Sequence, residues 1–175
     1  MKSAYEIKNF TLQKMDIGCI PLLLEIQEEA FGVLDDPDLL RRNTYETLAV
    51  CFNDKSLVLG AYVNGEIAGF GILYDAGEDS ENLAKELDNH DDIGKYVNAK
   101  LVIVRPAFRG RGIQRAIIDA LVDHARKEGF IGVCATVSPK NNFSSDNLKS
   151  CGFVAVKTLI KYGGKTRILY YKDLK

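Results

Sequence analysis

At 175 residues with 46% hydrophobic content, the chain has the length of one ordinary domain and can bury a core without disulfide or metal staples. A formal net charge of -1 excludes any global attraction to nucleic acid or an acidic membrane, so a basic site must be local. The start, MKSAYE, lacks the apolar core of a signal peptide, no apolar run reaches the roughly 20 residues of a bilayer span, and Cys19, Cys51, Cys134 and Cys151 form no C-x-x-C pair. We therefore expect a single cytoplasmic domain over residues 1–175, with no zinc knuckle, no dithiol redox motif and no metal.

In chain order, residues 5–10 read as an opening strand, and residues 16–31 as a helix capped by Asp16 that carries Ile20, Leu23, Leu24 and Ile26. A second helical stretch over 39–52 follows Pro37. Residues 56–63 and 66–74 are apolar, β-branched and aromatic runs joined by Asn64-Gly65, a pair that tolerates the positive φ of a tight hairpin. Residues 75–95 hold eight acidic side chains against Lys85 and Lys95, and read as a partly helical, mobile insertion. A wholly apolar run at 101–104 predicts a strand buried on both faces. Helical periodicity then runs from Ile113 to Ala125, with Gly129 placed to stop it. Residues 131–137 form another buried strand, 144–151 a short helix with a serine or aspartate cap, and 154–162 and 167–171 a closing hairpin around Gly163-Gly164. Strands and helices mixed from end to end predict an α/β or α+β domain.

The turn between Val104 and Ile113 combines three features suited to a diphosphate. Gly110 and Gly112 let backbone N–H groups approach an anion, a helix start aims further unpaired N–H groups and its positive dipole end at the same place, and Arg105, Arg109, Arg111 and Arg115 add charge with no acidic residue between. The run fits neither G-x-x-x-x-G-K-S/T nor G-x-G-x-x-G, which argues against a P-loop and a dinucleotide fold.

The segment VRPAFRGRGIQ (104–114) resembles the acyl-CoA signature of the GNAT N-acetyltransferase superfamily, Q/R-x-x-G-x-G/A after a strand and before a helix. Arg109, Gly112 and Gln114 take its three positions, with glutamine in place of the usual Gly or Ala. Residues 136–153 are similar to the family's later V-x-P-x-N-x-x-S segment followed by G-F, with Asn141, Ser144, Gly152 and Phe153 in register. The resemblance implies a mixed, splayed central sheet flanked by helices, with acetyl-CoA as cosubstrate. It also implies a CoA site at Arg109, Gly110, Arg111, Gly112, Ile113, Gln114, Asn141 and Ser144, and a thioester carbonyl bonded to backbone N–H groups near Ile103 and Val104, where a β-bulge would free the donors.

The resemblance implies acetyl transfer to an amine of a small molecule or peptide. Presenting an alkyl amine of pKa about 10.4 in its neutral form at pH 7 costs about 4 to 5 kcal/mol, so a base or a water chain helps. Many family members carry a carboxylate early on the signature strand; here Asn98, Ala99 and Lys100 stand there. The titratable cluster nearest in sequence is His90, Asp91 and Asp92, a candidate base that reads more readily as a solvated loop, because isolated charge clusters usually face water. The family's tyrosine seven residues after the asparagine is replaced by Leu148, leaving Tyr162 as an alternative hydroxyl. Cys151 reads as core. The acidic insertion suggests a cationic acceptor, such as a polyamine, aminoglycoside or peptide amine. A noncatalytic acyl-CoA sensor is the second reading, and the third, a nucleic-acid contact through the arginine turn, lacks an aromatic array or a wider basic patch. The acceptor and the oligomeric state, a homodimer included, are not written in the sequence.

Overall fold

Asn64 and Gly65 both take positive φ, 50° and 79°, and turn β2 (Leu57–Val63) back into β3 (Glu66–Tyr74) as the pair predicts. This hairpin is the middle of a seven-stranded sheet in a computed structural model that describes residues 9–175. The other strands are β1 (Thr11–Lys14), β4 (Tyr96–Val104), β5 (Gly132–Val137), β6 (Val154–Lys161) and β7 (Lys165–Asp173), in the spatial order β1-β2-β3-β4-β5-β7-β6. Every neighbouring pair is antiparallel except β4 and β5. A parallel pair needs a crossover, which α3 (Ile113–Lys127) supplies.

Two apolar layers sandwich the sheet. On one face α3 buries Ile113, Ile117, Ile118 and Leu121 against Leu73, Val97 and Val133. Contact is close because β3 has Gly71 there: a Cβ would sit 2.2 Å from the Ile117 side chain. The other face packs Ile20, Leu23 and Ile26 of α1 (Ile20–Gly32) and Leu48 of α2 (Tyr45–Ala49) against Val58, Phe70 and Ile72. α4 (Asn142–Ser150) adds Leu148 to the α3 layer.

Several boundaries differ from those read in the sequence. The strand expected at 5–10 lies mostly outside the described residues. Asp16 caps as expected, accepting from Gly18 N at 2.9 Å, but it caps a 3-10 turn over Ile17–Cys19. The α-helix restarts beyond it, with Pro21 in the first turn, where a missing N–H costs nothing. The helix expected over 39–52 is only α2 with 3-10 turns at Pro37–Leu39 and Val50–Phe52, because Thr44 and Thr47 form a capping box that starts a helix at Tyr45. The short helix is capped by Asn141, whose Oδ1 accepts from Ser144 N at 3.2 Å, rather than by a serine or aspartate.

The acidic insertion is pinned, against the expectation of a mobile segment. Asn82, fully buried, donates to Gly77 O, Ile93 O and Tyr96 O and accepts from Ala84 N. Asn98 of β4 accepts from Leu83 N and donates to Glu81 O. Leu83, Ala84 and Leu87 pack with Cys134 and Leu169 in a small third core.

Candidate active site

The parallel pairing of β4 with β5 covers only Tyr96 to Gly132, Val97 to Val133 and Asn98 to Cys134. Past Asn98 the strands separate, and a cleft opens between Ala99 to Val102 on one wall and Ala135 to Ser138 on the other. The β4 backbone on this side has lost its partner. Arg105 N donates to Ala68 O of the β3 side at 2.8 Å. Amides alternate sides along a strand, so Ile103 also faces β3 while Val102 and Val104 turn their N–H groups toward the gap. The register slips where Ile72 pairs with Leu101 and Leu73 with Ala99, making Lys100 the extra, bulged residue. The bulge thus lies at Lys100, not at Ile103 and Val104, and the free N–H groups near Val104 come from strand separation.

The cleft continues to the head of α3. Gly110 and Gly112 have φ of 80° and 77°, and a Cβ at either would meet nothing within 4 Å; these positions want glycine for its conformation, not for space. The first helical bond runs from Ala116 N to Gly112 O. Among the described residues no partner is found for the N–H groups from Gly110 to Arg115, six consecutive donors at a positive helix end. Arg109 lines the groove beside them with Phe143 and Asn147. Arg111 lies outside that groove and stacks at 5.5 Å on Phe108. Arg105 serves the scaffold instead, donating to Glu29 at 2.9 Å and to Ile67 O at 3.0 Å.

Gln114 turns inward, is 8% exposed, and donates to Ser144 Oγ at 3.3 Å. Gln114, Asn141 and Ser144 line both the inner cleft and the groove that leads to Arg109, so they sit at the junction of the two. Arg115 Nε donates to Asn147 Oδ1 at 3.0 Å. Asn147 Nδ2 is the one buried side-chain polar atom without a partner among the described residues, a donor held at the groove that sequence reading passed over. Its position within α4 gave no signal, since asparagine there reads as helix surface.

The opposite end of the cleft is polar. Tyr162, in a left-handed turn at φ 53°, places its hydroxyl 2.8 Å from Thr136 Oγ1 and its ring 4.3 Å from the Arg41 guanidinium. Arg41 is ion-paired with Glu81 at 3.1 Å, which holds the Glu81 carboxyl below its ordinary range chiefly through that hydrogen bond. Lys100 and Arg167 line the same space. Burial pulls the Lys100 ammonium below its ordinary value, and its nitrogen lies 5.4 Å from the Tyr74 ring centroid. Leu148 lines the same cleft and brings no polar group to it.

His90, Asp91 and Asp92 are exposed and do not line the cleft. His90 Nδ1 contacts Asp91 O at 2.6 Å, and Asp91 faces Lys95 and Lys175 at 3.8 and 3.5 Å. The cysteines have the character of core residues: burial pushes the Cys134 thiol up to about 12 and those of Cys51 and Cys151 up to about 11.

A family model described as acetyltransferase (GNAT) matches residues 20–153. Among solved structures, one from Salmonella typhimurium, determined with its cofactor acetyl-CoA, is 20% identical, with a TM-score of 0.70 and 95% of each chain covered. An N-acetyltransferase from Staphylococcus aureus Mu50 is 18% identical at a TM-score of 0.71, over 95% of this chain and 99% of that one. A ribosomal-protein-alanine N-acetyltransferase from Brucella melitensis is 20% identical at 0.71, over 94% and 99%. At such identities the likeness establishes the fold. A search of curated proteins finds no match.

Proposed function

The chain belongs to the acetyltransferase (GNAT) family, and we propose that it is a cytoplasmic N-acetyltransferase that moves the acetyl group of acetyl-CoA to the amine of a small molecule or peptide. The observation that carries this reading is the separation of β4 from β5 beyond Asn98, which opens a cleft continuous with six N–H groups at the head of α3 that have no partner among the described residues.

The residues present fit that donor. A diphosphate suits the N–H groups of 110–115 and the Arg109 guanidinium, since charge-assisted bonds to a helix N-terminus are among the stronger ones. Asn147 Nδ2, buried without a partner, gains an acceptor if the CoA moiety lies in this groove. Gln114, Asn141 and Ser144 then flank the pantetheine arm, and the thioester reaches the separated strands. Acetyl-CoA supplies the activated acyl carbon.

The Val102 and Val104 N–H groups, released from any strand partner, stabilise negative charge developing on the carbonyl oxygen. The amine nitrogen bonds to the carbonyl carbon as the C–S bond breaks. The sulfur departs with the bonding pair and takes up a proton, for which the Tyr162 hydroxyl is our candidate donor; a thiol pKa of about 8.5 makes this demand modest. With Glu81 tied to Arg41, the amine's own proton leaves through water.

The test is a CoA-release assay with acetyl-CoA over a panel of amines, with calorimetry on the same preparation. Steady turnover on an amine is expected. Acetyl-CoA binding with no turnover on any amine would replace this reading with a noncatalytic acyl-CoA sensor, and loss of binding would end both.

A further inference from the structure

Three of the eight acidic residues of the insertion, which in sequence suggests a cationic acceptor, are ion-paired with lysines outside the cleft. Glu86 pairs with Lys161 at 3.2 Å, Asp88 with Lys157 at 2.6 Å, and Asp91 with Lys95 and Lys175. Among the described residues, Glu81 is the one acidic side chain of this segment that lines the cleft, and it is paired with Arg41.

The two remaining charged residues of the cleft are cations, Lys100 and Arg167, and neither is ion-paired among the described residues. Arg167 is 4% exposed; its guanidinium donates to the main-chain oxygens of Asp38 and Thr166, and no ion pair is formed among the described residues. Lys100 is carried into the cleft by the bulge, and its ammonium likewise has neither hydrogen bond nor ion pair among the described residues. Buried charge without a counter-ion is costly. A ligand anion would relieve both groups and favour the charged form of Lys100.

The same end of the cleft is roofed. Residues 36–43 cross from the α1 side and are fastened by Lys165 to Asp38 at 3.1 Å, by Lys140 to Asp36 at 3.5 Å, and by Arg41 stacked on Tyr162 at 4.3 Å. A strap over this end of the cleft favours a compact acceptor over an extended polymer.

Resting on the acetyltransferase reading, we infer that the acceptor is a small molecule bearing an oxyanion close to its amine, a free amino acid or an aminoalkyl phosphonate, whose anion is held between Lys100 and Arg167. The oxyanion fixes the molecule so that its amine faces the carbonyl held at Val102 and Val104. Lys100 and Arg167 are specificity residues for the acceptor and leave the acetyl-CoA groove untouched.

The experiment measures kcat/KM with saturating acetyl-CoA for the free L-amino acids and 2-aminoethylphosphonate. It continues with the carboxamide and the decarboxylated amine of the best amino acid, and with spermidine and a short peptide. At least tenfold preference for the oxyanion-bearing form over its uncharged counterpart is expected, and the amino acid and phosphonate arms tell the two sources apart. Lys100→Met should raise KM for the oxyanionic acceptor about tenfold while leaving KM for the carboxamide and Kd for acetyl-CoA within twofold. Faster turnover of spermidine or the peptide would overturn this inference and leave the acetyltransferase reading standing. Acetyl-CoA binding without turnover on any amine would overturn both. The wild-type comparison decides the matter even if an Arg167 variant fails to fold.

Discussion

Arg109 is the side chain on which donor affinity depends most among those at the head of α3. Arg105 is tied to Glu29 and Arg115 to Asn147, while Arg109 lines the groove with no partner among the described residues. A hydrogen bond to a charged group contributes about 1.5 to 3 kcal/mol, so Arg109→Ala should weaken acetyl-CoA binding by roughly tenfold or more in calorimetry, with the fold unchanged by circular dichroism. Tyr162→Phe should lower kcat by roughly tenfold and leave KM for acetyl-CoA unaltered in steady-state kinetics, since it removes only a proton donor; an unchanged kcat would exclude Tyr162 from the transfer step. At this scale the chain order of Arg109, Gly110, Gly112 and Gln114 was readable because local backbone chemistry makes the groove. Lys100, Arg41 and Arg167 were not readable as one site: they come from three segments, joined only when β4 bulges and the strap of residues 36–43 meets the β6–β7 hairpin.

The strand–turn–helix unit depends on backbone angles that only some residues hold. Gly112 at φ 77° precedes the first turn of α3. An alanine there costs about 1 to 2 kcal/mol of left-handed strain, and Gly112→Ala should lower the unfolding free energy by about that much while also weakening acetyl-CoA, since the N–H groups swing out of line. Asn141 caps α4 and lines the junction of cleft and groove. Removing such a cap costs about 1 kcal/mol, so Asn141→Ala should show both a stability loss in chemical denaturation and a higher Kd, whereas Asn141→Asp should recover the former. The hairpin at Asn64-Gly65 and the span of α3 were legible because turn chemistry and helical periodicity agree there. The first two helices were misjudged where a local device overrode the apolar pattern: the Asp16 turn ahead of Pro21, and the Thr44 to Thr47 capping box that starts a helix of five residues.

Over the whole molecule, function follows from one opening in the sheet: its parallel pair, β4 with β5, comes apart after Asn98. No pattern in the sequence states that β4 and β5 separate; the expectation came from resemblance, and the backbone geometry supplies the reason. The insertion belongs to the same architecture, since Asn82 and Asn98 tie it to the base of β4 and deliver Glu81 to Arg41. The Glu81 carboxyl titrates below its ordinary range, so its contribution to stability is present above the usual glutamate range and lost as the pH falls through its lowered value. Thermal melts between pH 7 and about 3 should therefore show a shallower acid limb for Glu81→Gln than for the parent. The central claim, that the gap and the head of α3 together grip acetyl-CoA, is tested most directly by titrating the purified chain with acetyl-CoA in a calorimeter. One-to-one binding, weakened tenfold or more in both Arg109→Ala and Gly112→Ala, is the predicted result; no heat of binding to the parent protein, or affinities that ignore both substitutions, would contradict it.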